Sequence, residues 1–163
     1  MGDFDEFVAS HGPGLTRFAY LYCGDEATAQ DLTQTALLRV FKRWERVSTL
    51  DDPIAYTRRV LTREYLSLRR KKSHTEVPTA EPAITGEWPD PADRVADRDE
   101  LWRALQRLRP KQRAVVVLRY YVDLPHEDIA RILDCPVGTV RSHLARGLAA
   151  LREGTTAPVK GVR

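Results

Sequence analysis

Five polar side chains close together near the end of the chain have the types and spacing to read a nucleic acid. Thr139, Arg141, Ser142, His143 and Arg146, with Ala145, alternate with Val140, Leu144, Leu148 and Leu151. On a helix the four apolar residues form one stripe and the polar ones face outward. Arginine pairs bidentately with guanine in a major groove, and Ser or Thr bonds bases or phosphate. The free backbone N–H groups of Val137-Gly138-Thr139 would add a phosphate contact. A second basic run, Arg58, Arg59, Arg63, Arg69, Arg70, Lys71 and Lys72, has Tyr56 and Tyr65 interleaved. Cations along a groove with aromatics for base stacking suit single strands, each stacked base contributing about 1–3 kcal/mol. This is the chemistry of binding.

No reacting constellation competes with it. His11, His74, His126 and His143 fall in different segments, and the sequence holds no CxxC, HExxH, Gly-rich phosphate loop or nucleophile elbow. No enzyme activity, cofactor or metal is expected. Cys23 and Cys135 are too far apart for a disulfide framework, so the expected compartment is reducing. The acidic start MGDFDEF has no apolar run behind it, which argues against a signal peptide. No apolar stretch approaches about 18 residues, so no membrane span is expected. The expected location is the cytoplasm.

The elements that must position these groups read as helices. The 163 residues can hold one domain or two small ones, and 42% hydrophobic with 30% charged residues is a globular balance. Charge divides the chain. Residues 1–75 carry 12 Lys and Arg against 10 Asp and Glu, residues 76–100 carry 2 against 8, and residues 101–163 carry 12 against 5. Two basic modules joined by an acidic linker are expected, at 1–74 and 94–154, with a linker at 75–93 and a tail at 155–163. The linker TEVPTAEPAITGEWPDPAD has four prolines and no helical period.

Within the first module, Phe4–His11 and Leu15–Cys23 read as two helices bent apart by Gly12-Pro13-Gly14. A longer helix follows, capped by Asp25, with the stripe Ala29, Leu32, Thr33, Ala36, Leu37, Val40, Phe41 and Trp44. Leu38 lies off that stripe beside Asp31, Gln34, Thr35 and Lys42. Asp52-Pro53 opens the basic helix.

In the second module a stripe of Leu101, Trp102, Leu105 and Leu108 precedes a helix from Pro110 to Tyr121. Then His126–Leu133 and Pro136–Glu153 form two helices about a tight turn at Asp134-Cys135. Ile129, Ala130 and Leu133 face inward, Ala130 being small enough for a close crossing. Asp134 takes the place where such turns usually have Gly, since Asp tolerates left-handed backbone. The geometry is a helix-turn-helix, with the second helix in the major groove. The fold class is all-α, in two small helical domains.

DCPVGTVRSHLARGLAALRE resembles the second half of region 4 of bacterial extracytoplasmic-function sigma factors, and LRPKQRAVVVLRYYVDLPHEDIARIL resembles the first half. GDEATAQDLTQTALLRVFKRW is similar to their region 2.2, and DDPIAYTRRVLTREYLSLRRKK to regions 2.3 and 2.4. The two blocks stand in the family's order on either side of a linker.

The resemblance implies a promoter-specificity factor for core RNA polymerase, with a division of labour. Region 4 would read the minus-thirty-five element through Arg141, Ser142 and Arg146, beside Thr139, His126, Glu127 and His143. His126 stands where the family usually has Tyr, and His143 where it has Arg or Lys. Region 2 would hold the β′ clamp helices through Asp31, Gln34, Thr35, Leu38 and Lys42, while region 4 meets the β flap. The basic helix would open the minus-ten element through Tyr56, Arg58, Arg59, Arg63, Tyr65, Arg69 and Arg70. Arg63 replaces the family's common Asn, and Ser67 stands near its usual Asp. The linker's Glu76, Glu81, Glu87, Asp90 and Asp93 would thread the polymerase toward the RNA path. An anti-sigma factor is a further expected partner, no membrane is, and the free protein is expected to be a monomer. Two alternatives are a stand-alone dimeric helix-turn-helix regulator, with no use for the first block, and a sigma-like decoy for an anti-sigma protein, with a degraded recognition helix.

Overall fold

The computed structural model describes residues 2–75 and 95–154. The acidic linker and the tail fall outside them, apart from Thr75 at a helix end. All described elements are helices, and the chain divides into two units.

The first unit holds α1 (Gly2–Cys23), α2 (Glu26–Phe41), α3 (Trp44–Val47) and α4 (Pro53–Thr75). The bend expected at Gly12-Pro13-Gly14 is absent, because α1 runs unbroken through Pro13. Neither glycine takes a positive φ, and Pro13 is exposed, so its ring faces solvent. The Thr16 hydroxyl donates to the Gly12 carbonyl at 3.0 Å. Phe7, Leu15, Phe18, Ala19 and Tyr22, on both sides of the proline, are buried on one face. Their combined burial, about 1.5–3 kcal/mol for each large side chain, outweighs the roughly 3 kcal/mol cost of an internal proline.

Gly24, at φ 70°, ends α1. The Asp25 carboxylate caps α2, accepting from the Thr28 N–H at 2.9 Å and the Thr28 hydroxyl at 2.6 Å, and these bonds hold its pKa below the usual value. Ala29, Leu32, Thr33, Ala36 and Val40 are buried as the stripe requires. The stripe departs from expectation at its end, since α2 stops at Phe41 and Trp44 begins α3. Phe41 is 45% exposed. The turn is shaped by ring packing, with Phe4 centred 4.9 Å from Phe41 and 5.1 Å from Trp44, and Phe7 4.9 Å from Trp44. Asp52 caps α4 through the Ala55 N–H at 2.9 Å, with Pro53 as its first residue.

The second unit holds α5 (Val95–Gln106), α6 (Pro110–Val116), a π-helical turn (Val117–Tyr121), α7 (His126–Leu133) and α8 (Val137–Gly154). The helix expected from Pro110 to Tyr121 thus changes character in its last turn, where the Val122 N–H reaches the Val117 carbonyl at 3.2 Å. Asp134 is left-handed, φ 52° and ψ 54°, and the Cys135 N–H bonds the Ala130 carbonyl at 3.1 Å. Ile129, Ala130 and Ile132 are buried in α7, whereas Leu133 is only half-buried. α6 and α8 cross closely at Gly147. A Cβ placed on Gly147 of α8 would lie 3.0 Å from Val116 Cγ2 and 3.6 Å from Gln112 Cβ, so α6 and α8 touch backbone-close there.

Arg113 was not foreseen from sequence. It is 3% exposed, and its guanidinium donates to the carbonyls of Leu105 at 2.8 Å, Gln106 at 2.9 Å and Leu108 at 3.0 Å. These carbonyls lie at and just past the end of α5, where helical partners run out and a cation is favoured; the Leu105 carbonyl also accepts from the Leu108 N–H at 3.1 Å.

Candidate nucleic-acid interface

On α8, Val140, Leu144, Gly147 and Leu151 are buried and Leu148 is half-buried. Arg141, Ser142, Ala145 and Arg146 are exposed, and Thr139 and His143 are half-buried at the edges of that face. The Ser142 hydroxyl donates to the Gly138 carbonyl at 3.1 Å, leaving its lone pairs outward. In front of α8, α7 carries exposed Glu127 and half-buried His126 in its first turn. Of the seven expected groups, Glu127, Arg141, Ser142 and Arg146 are thus exposed and His126, Thr139 and His143 half-buried.

The environments of two of them differ. His143 Nδ1 is enclosed and makes no hydrogen bond, and burial holds its pKa below the usual imidazole value, with Lys111 and Arg146 adding to the effect. His126 Nε2 is likewise enclosed without a hydrogen bond. At the turn, burial pushes the Cys135 thiol above its ordinary pKa, Lys111 opposing and Asp134 reinforcing the shift. A helix N-terminus would favour thiolate, but here desolvation prevails.

The basic helix α4 splits its expected set. At 100° per residue Tyr56, Arg59, Arg63 and Arg70 fall on one stripe, where Arg63 and Arg70 are exposed and Tyr56 and Arg59 half-buried. Arg58, Tyr65 and Arg69 lie on the opposite side. Arg58 sits over the Phe18 ring at 6.0 Å, and Arg69 is exposed where α4 extends onward. Tyr65 cannot offer a base a stacking face. It is 1% exposed and its ring is stacked on Tyr22, because its position shares the stripe of Leu61 and Thr62, which face α1 and α2.

On α2, Asp31, Gln34, Thr35, Leu38 and Lys42 are all exposed on one face. Leu38 is 62% exposed. Its neighbour Arg39 is tied to Glu64 of α4 at 2.6 Å, which fixes one edge of that face. Among the described residues no cluster of His, Cys, Asp or Glu could hold a metal, and no helix is long and apolar enough to cross a membrane.

Both units match known families, residues 7–75 Sigma-70 region 2 and residues 98–151 Sigma-70, region 4. The chain is 40% identical over 151 residues to the RNA polymerase sigma-E factor of Streptomyces coelicolor, covering 93% of this chain and 85% of that one. This chain belongs to the extracytoplasmic-function group of sigma-70 factors. The ECF RNA polymerase sigma factor SigE of Mycolicibacterium smegmatis is 31% identical over 161 residues, 94% of this chain and 62% of that protein. The fold of this sigma factor is shared with the sigma factor RpoE of Bartonella quintana, solved in complex with the anti-sigma factor NepR. That likeness has a TM-score of 0.75 at 23% identity and covers 94% of this chain and 97% of that one. The sigma factor is a transcription initiation factor that binds core RNA polymerase and directs it to promoter DNA.

Proposed function

We propose that the work of initiation is divided among three helices of this sigma factor. α8, supported by the first turn of α7, reads the minus-thirty-five duplex, with Arg141, Ser142 and Arg146 as base or phosphate contacts and Thr139, His143, His126 and Glu127 at the margins. The stripe Tyr56, Arg59, Arg63 and Arg70 of α4 holds the opened minus-ten strand. The α2 face of Asp31, Gln34, Thr35, Leu38 and Lys42 docks on the β′ clamp helices. The protein supplies binding and no reacting group of its own, and it acts in the cytoplasm with the polymerase. The solved complex of the similarly folded RpoE with the anti-sigma factor NepR favours an anti-sigma protein as a further partner.

One observation carries the reading. Arg141, Ser142 and Arg146 are exposed together while Val140 and Leu144 of the same turns are buried. A decoy has no need of such a face, and a stand-alone regulator has no need of the α2 face. Run-off transcription with purified core polymerase tests it. The full chain yields promoter-dependent transcripts, and Arg141→Ala reduces them without loss of polymerase binding. Equal transcription by the variant would remove α8 from promoter recognition.

A further inference from the structure

Glu64 is the one acidic residue of α4, a helix that carries seven arginines and lysines. A carboxylate is out of place on a helix whose work is to hold a polyanion. It stands about 100° round the axis from Arg63, off the stripe of Tyr56, Arg59, Arg63 and Arg70 and on the flank that meets α2. A helix with its side chains is about 10–12 Å across. A strand lying along the stripe is therefore only about one Debye length from that flank at physiological salt. Left bare, the carboxylate would repel the phosphates.

Its neutralising cation comes from another helix. Arg39 Nε of α2 meets Glu64 Oε1 at 2.6 Å, with the Arg39 side chain 63% exposed and that of Glu64 17%. α4 has no such partner of its own to offer. The positions three and four residues to either side of Glu64, where a helix places its neighbours, hold Val60, Leu61, Ser67 and Leu68. The short charge-assisted bond draws the carboxylate onto α2 and away from the stripe. An ion pair this open on one side adds little stability, so its main effect is on the field along α4.

We propose that Arg39 is a positioning residue for promoter opening, which pulls Glu64 aside and cancels its charge so that no bare carboxylate faces the minus-ten strand. This rests on the reading of α4 as the strand-holding helix. It gives α2 a part in opening that is separate from its polymerase face, since Arg39 turns to α4 while its neighbour Leu38 points outward.

The test is the rate of promoter opening by the full chain assembled with core polymerase. Permanganate footprinting follows it on a promoter that supports run-off transcription, at low and high salt. Arg39→Gln should slow opening about two- to fivefold at about 0.05 M salt and hardly at all at about 0.5 M, with unchanged affinity for core polymerase. Glu64→Gln, which deletes the charge to be masked, should open at least as fast as wild type. Added to Arg39→Gln, it should restore the wild-type rate. A clamp that merely fixed α2 against α4 would be broken by either change and repaired by neither. Slow opening in Glu64→Gln or in the double variant would therefore overturn the proposal, as would a defect in Arg39→Gln that tracks its polymerase affinity. Arg63→Ala, measured alongside, separates the two levels. If it slows opening while Arg39→Gln does not, the strand reading of α4 stands and the masking role is lost. If neither variant slows opening, the strand reading is lost as well.

Discussion

Tyr22 of α1 and Tyr65 of α4 stack face to face, with 4.8 Å between ring centroids and 9° between planes. The Thr62 hydroxyl donates to the Arg58 carbonyl at 2.9 Å, so the Tyr22 hydroxyl, 2.9 Å away, donates to Thr62. Burial drives the Tyr22 pKa far above the ordinary phenol range. The pair is a structural joint between α1 and α4. Tyr65→Ala is expected to cost about 3–5 kcal/mol of stability. Tyr65→Phe is expected to leave promoter opening unchanged, while Tyr56→Ala impairs it. Denaturant unfolding and permanganate footprinting of the opened strand measure the two effects.

Arg113 ends α5 by satisfying three carbonyls at once. Replacing it with Met keeps much of the volume and removes that donor from the Gln106 and Leu108 carbonyls, the Leu105 carbonyl keeping the Leu108 N–H at 3.1 Å, which should cost about 3 kcal/mol. Thermal unfolding of the second unit would show the loss. A shift within about 0.5 kcal/mol, the range of ordinary surface changes, would mean that the guanidinium contributes little.

Leu38 has little packing to lose, being 62% exposed among polar neighbours. Leu38→Asp should therefore leave the melting temperature almost unaltered and weaken core-polymerase binding at least about tenfold, or about 1.4 kcal/mol. Surface-immobilised core polymerase and a thermal melt give both numbers. Undiminished affinity would exclude this face from the docking surface.

A single base contact has a characteristic signature. Arg141→Ala should cost about 1–3 kcal/mol on the best promoter sequence and relax preference at one position of the minus-thirty-five element. Selection from a randomised upstream element reads that directly. A uniform loss across all sequences would instead make Arg141 a phosphate contact.

His143 links stability to pH. Its folded pKa lies below the usual 6.5, so at acid pH the unfolded chain binds more protons at this site than the folded one. Stability is unaffected well above 6.5 and falls as pH drops through that value and below it. His143→Gln should flatten the decline in unfolding midpoint between about pH 7 and about pH 5. An unaltered slope would place the acid sensitivity at other groups.

Much of this protein was legible from local patterns. The apolar stripe of Ala29, Leu32, Ala36 and Val40, the cap at Asp25, the Asp52-Pro53 start and the left-handed Asp134 each follow from chemistry within a few residues. Helical period and capping depend on near neighbours, so sequence alone determined the helices of the helix-turn-helix and the polar face of α8. Tertiary structure decided the rest. Pro13 sits inside a helix because burial on both sides of it outweighs its local cost. Tyr56 and Tyr65 look alike in sequence, but only Tyr65 meets a partner from another helix. The roles of Arg113 and Gly147 depend on contacts between helices, and such contacts leave no mark in the spacing of either partner alone.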